Sequence, residues 1–82
     1  MDKNAFVKIL TDRLEKNKFT VEEGDGIIMV NKNNNNFEMN VNEMFEGYEI
    51  HGYSFIDGLM DHLLSAIDHH ETKLAEKINF HT

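Results

Sequence analysis

Apolar positions along this chain change period twice, and the changes mark its elements. Between residues 2 and 17, Phe6, Val7, Ile9, Leu10 and Leu14 fall within one broad arc when each residue advances by about 100°, which predicts an amphipathic helix. From Phe19 the period drops to two. Phe19 and Val21 alternate with Thr20 and Glu22, and later Phe37, Met39 and Val41 alternate with Glu38, Asn40 and Asn42, so both runs predict half-buried strands. Ile27 to Lys32 predicts a strand between them. After Ser54 the helical period returns: Ile56, Leu59, Met60, Leu63, Ile67, Leu74 and Ile78 form the stripe of a second helix.

The connections agree with this order. Gly24-Asp25-Gly26 is a hairpin signal, because Asp-Gly and Gly tolerate the positive φ of tight turns. Asn33 to Asn36 forms the next turn, Asn being the non-Gly residue that best enters the left-handed region. The pattern predicts one α+β domain, residues 1–82, ordered α-β-β-β-α, with both helices packed on one face of a three-stranded antiparallel sheet.

The middle strand departs from alternation, since Ile27, Ile28, Met29 and Val30 are all apolar. Strand side chains point to opposite faces with period two, so one apolar pair must face away from the core. A two-residue Asp25-Gly26 turn sends Ile27 and Met29 outward; a three-residue Gly-Asp-Gly turn sends out Ile28 and Val30. Either pair then sits among Thr20, Glu22, Glu38, Asn40 and Asn42, an apolar centre rimmed by acids and a candidate interface. The competing expectation is that residues 44–53 fold over it. That segment, with Met44, Phe45, Tyr48 and Ile50, reads as a single helical turn at 43–46 capped by Gly47, or as a fourth short strand at Tyr48–His51. Ser54 with Asp57 resembles a capping box opening the second helix. Gly58 weakens that helix unless it lets another element approach closely. Arg13, inside the first helix's apolar arc, reads as a stem covering the apolar edge with its guanidinium in water, ahead of an anion site.

Charge sharpens the picture. The net formal charge is −7, distributed as +2 over residues 1–18, −6 over 19–50 and −3 over 51–82. Phosphate contacts need clustered Lys and Arg, so the charge argues against nucleic acid as a direct ligand; it points to a protein partner with a basic surface, or to nothing beyond solubility. Without Cys there is no disulfide or Cys-based zinc site, which fits a reducing cytoplasm. No apolar run approaches the ~20 residues that span a bilayer, and no leader-like apolar segment opens the chain.

Catalytic signatures are weak. His62, His69 and His70 share the second helix with Asp61, Asp68 and Glu71, but the i, i+4 His pair of a zinc helix is missing. His70 falls on the apolar stripe, where a core histidine is the default. No phosphate loop or nucleophile setting is present, so no enzyme, metal or cofactor is expected; a small metal-dependent or acid–base enzyme using these His and Asp residues is the remote alternative.

The order RLEKNKFTVEE, IIMVN, FEMNVNEMFEGYE and SFIDGLMDHLLSAI resembles the N-terminal module of the YtpQ-like family of uncharacterised bacterial proteins, over about residues 5–70. That likeness implies a helix, a strand meander and a further helix, and no activity. KNKFTVEE, IIMVNKNNNN and FEMNVNE also look like the meander of small acidic anti-CRISPR inhibitors of Cas9, which occupy basic DNA-reading surfaces with carboxylates. The second likeness implies a phage-type inhibitor in which Glu22, Glu38, Glu43, Glu46 and Glu49 meet the partner, with Ile27 and Met29 as the apolar centre. The function expected is therefore a non-catalytic acidic binding module acting in the cytoplasm on a basic partner. A structural module that self-associates, as a homodimer, through the outer sheet face is the main alternative.

Overall fold

A computed structural model describes residues 2–81 of the chain, with side chains described for residues 2–70. Leu74 and Ile78 of the predicted stripe lie outside the described side chains. Helix α1 spans Lys3–Lys16 and is capped by Asp2, whose carboxylate accepts the Ala5 amide at 2.8 Å. Phe6, Leu10 and Leu14, spaced by four, are fully buried. Its end is more structured than a polar step. Lys18 takes φ 71°, its amide donates to the Glu15 carbonyl, and the Phe19 amide reaches back to Leu14. This is a Schellman closure with lysine in the left-handed position usually given to glycine. It drops Phe19 into the core, so Phe19 ends the cap instead of starting a strand.

Strands β1 (Thr20–Gly24), β2 (Ile27–Lys32) and β3 (Asn35–Asn40) form an antiparallel sheet in sequence order. Both hairpins use two-residue turns with positive φ at both positions, Asp25-Gly26 and Asn33-Asn34. Such turns match the twist of the flanking strands. Asn35 and Asn36 therefore belong to β3 and not to the turn, and the Asn31 side chain donates to Asn36 across the ladder at 2.6 Å. The Asp25-Gly26 turn settles the register: Ile28 and Val30 are buried, whereas Met29 is 48% exposed and Ile27 half-buried on the other face.

β3 runs into helix α2 (Val41–His51) without a linker. Asn40 pairs with Ile27 as the last strand residue, and its side chain accepts the Glu43 amide at 3.1 Å as the cap of α2. Val41 is consequently the first helical residue, not the end of the strand, and its amide donates to the Gly26 carbonyl at 2.9 Å. The helix continues through Gly47 and ends at Gly52 (φ 64°), so neither the single turn capped by Gly47 nor a strand at Tyr48–His51 forms. A Cβ on Gly47 would stand 2.4 Å from the Phe55 ring, so this glycine is a seat for the next helix. That helix, α3, spans Tyr53–His81. Ser54 lies within it, and its hydroxyl donates to the His51 carbonyl at 2.7 Å, which replaces the predicted capping box.

The three helices cover one sheet face, giving the α+β architecture that the periodicity predicts. Ile28, Val30 and Met39 from that face share one core with Phe6, Leu10, Leu14, Phe19, Val41, Ile56, Met60, Leu63 and Ile67. Val21, Phe37 and Leu59 from the predicted apolar runs are partly buried and pack against its margin. Arg13 ties α1 to α3 at the surface through a 2.6 Å ion pair with the exposed carboxylate of Asp57.

Candidate interaction surface

The outer sheet face follows directly from the pairing. Glu22 stands opposite Met29, and Met29 opposite Glu38, so one row reads acid, methionine, acid across the three strands. The row on one side is Thr20, Asn31 and Asn36; the row on the other is Gly24, Ile27 and Asn40. Two strand spacings separate the flanking glutamates by about 10 Å at the backbone. Glu22 and Glu38 are exposed, and a shallow depression of about 170 Å³ lies beside Met29, lined by Thr20, Glu22, Asn31 and Asn36. Among the described residues, no helix covers this face: residues 44–51 are committed to α2, which packs against α1 and α3 and the end of β3.

Of the residues expected to meet a partner, the structure therefore gathers Glu22, Glu38, Ile27 and Met29. Glu43, Glu46 and Glu49 are exposed as well, but they lie on α2, whose core side is Val41, Met44, Phe45 and Tyr48. By helical phase Glu43, Glu46 and Ile50 share the opposite side, and Ile50 is 73% exposed. The acidic set thus divides between two surfaces. The signal for this division was present in the sequence: Asn40 followed three residues later by Glu43 marks a helix start.

The second surface has its own relief. The seam between α2 and α3 holds a groove of about 430 Å³ lined by Met44, His51, Ser54, Phe55, Gly58 and Leu59. At the corner Tyr48 and Tyr53 meet edge-on, ring centres 5.7 Å apart. Burial first, then the hydrogen bond to Tyr53 and its charge, pushes the Tyr48 phenol above its ordinary range.

His51, His62, His69 and His70 are all exposed. His70 is not a core histidine, because buried positions on α3 end at Ile67 among the described residues. Among the described residues, no three His, Asp or Glu side chains converge where a metal ion would sit, and no helix is long and apolar enough to cross a membrane. What the outer face offers chemically is a soft apolar contact between two carboxylates, complementary to a Lys or Arg whose stem packs on Met29. The chain matches no family model, no curated protein and no solved structure.

Proposed function

We propose that this chain is a non-catalytic binding module that engages a basic surface of a protein partner through the outer face of its sheet. The Glu22–Met29–Glu38 row carries this reading: an exposed methionine held between two carboxylates, on a face that no helix covers among the described residues. A domain with nothing to bind gains no stability from exposing Met29 at the centre of a sheet. Flanking acids give long-range attraction and reject acidic competitors, while Met29 supplies the short-range contact. Surfaces rich in Lys and Arg are typical of proteins that hold nucleic acid. Occupying such a surface would block it, which is how an inhibitor of the anti-CRISPR type acts. Self-association through the same face fits less well, because it would stack the glutamates of two copies against each other.

The test uses a partner recovered by affinity capture and then purified. Changing Ile27 and Met29 together to Thr should abolish binding with thermal stability nearly intact. Reversing Glu22 and Glu38 to Lys should slow association by about tenfold or more at low salt. Unchanged binding in both variants would remove the outer face from the function. Unfolding of the Thr variant would return the pair to the core.

A further inference from the structure

We infer, resting on the outer-face reading above, that the depression beside Met29 is a seat for one arginine side chain of the basic partner, anchored by Glu22. Its size suits a single side chain: about 170 Å³, below the roughly 300–1,000 Å³ of small-molecule sites. Its lining sets the charge. Glu22 supplies a carboxylate, Thr20 a hydroxyl, Asn31 and Asn36 carboxamides and Met29 an apolar wall, with no Lys or Arg among them. A cation is accepted there and an anion repelled. The acceptors choose between the two cationic side chains. Glu22 stands in the Met29 row, while Thr20, Asn31 and Asn36 form the next row on the same face, two residues along the strands and about 6.5 Å away. The Asn31 side-chain nitrogen donates to the Asn36 oxygen at 2.6 Å, which leaves the Asn31 side-chain oxygen as an acceptor. A planar guanidinium can turn one edge to the Glu22 carboxylate and another to the Asn31 row; the compact, strongly hydrated ammonium of lysine gains less from acceptors split in this way. The arginine stem covers Met29. A second copy of this chain has none to offer, because its one arginine, Arg13, is paired with Asp57. Glu38, across Met29, is not part of the lining and acts from a distance.

The probes are hexaarginine and hexalysine, equal in charge, titrated into the full chain at low salt and followed by amide NMR. Hexaarginine should bind about fivefold tighter or more, and should shift the side-chain amides of Asn31 and Asn36 with the backbone of Thr20 and Glu22. Asn31→Val leaves the charge unchanged and should bring hexaarginine to the hexalysine value, with hexalysine itself unaffected. Glu22→Gln and Glu38→Gln each remove the same charge. Glu22→Gln should speed dissociation of hexaarginine, whereas Glu38→Gln should only slow its association. This second comparison stands whether or not Asn31→Val folds. Equal affinity for the two peptides, or equal effects of the two Gln variants, would overturn the arginine seat. If the shifts then still centred on Met29, the outer-face reading would survive that result; shifts confined to α2 or α3 would remove both.

Discussion

Gly47 and Gly58 lie one element apart, both inside helices, but their surroundings differ. Alanine at an open helical position gains about 1 kcal/mol over glycine, but at Gly47 its methyl would stand 2.4 Å from the Phe55 ring. Overpacking of that kind costs about 1–3 kcal/mol, enough to cancel or exceed the gain. Gly47→Ala should therefore lower the denaturation midpoint. In a Phe55→Ala background the same change should become stabilising, and a double-mutant cycle measures the coupling directly. Residue-level chemistry of this sort was only half legible in the sequence. Asp25-Gly26 announces its turn through composition. Lys18 in the left-handed position does not, because nothing about a lysine signals positive φ; only the pull of Phe19 into the core explains it.

At the scale of elements, the hydrophobic period located α1, all three strands and α3 to within a few residues, because each buries one regular face. It failed between Val41 and His51. There Val41 continues the alternation of Phe37 and Met39 in sequence while starting a helix in space, and the two periods share a residue. Gly47 then looked like a stop. The site had a similar limit: the register of Ile27 and Met29 hung on the length of one turn, and the separation of Glu43, Glu46 and Glu49 from the sheet hung on recognising α2. The strongest element-level dependence is that of α3 on the shared core. Leu63 is 3% exposed among Met60, Ile67 and the sheet residues. Leu63→Ala should cost about 2–5 kcal/mol in a denaturant titration. A loss below about 1 kcal/mol would mean that α3 does not bury this face in solution.

For the molecule as a whole, the proposed binding to a basic partner makes charge placement matter more than charge total. The sheet and α2 fall in the −6 stretch of the chain, whereas α1 falls in the +2 stretch. Attraction to a basic partner is screened over about 8 Å at physiological ionic strength and acts chiefly on the association rate. That rate should therefore fall as salt rises. Two pairs of reversals each take the net charge from −7 to −3: Glu22 and Glu38 to Lys, or Glu15 and Asp61 to Lys. Only the first pair should slow association strongly in stopped-flow measurements at two salt concentrations. Equal slowing would mean that the partner senses total charge and not the sheet.

The linkerless passage from β3 to α2 has a dynamic consequence. Asn40 is held by the ladder on one side and caps a helix on the other, while the Val41 amide is bonded to Gly26 in the first hairpin turn. A fluctuation that frays the first turn of α2 must also release that hairpin, and the reverse holds equally. Amide hydrogen exchange should accordingly report one opening free energy for Val41, Ile27 and Glu43. The Asn33-Asn34 turn, at the far end of the ladder, should open on its own. A partner gripping the sheet face would then slow exchange in a helix it never touches.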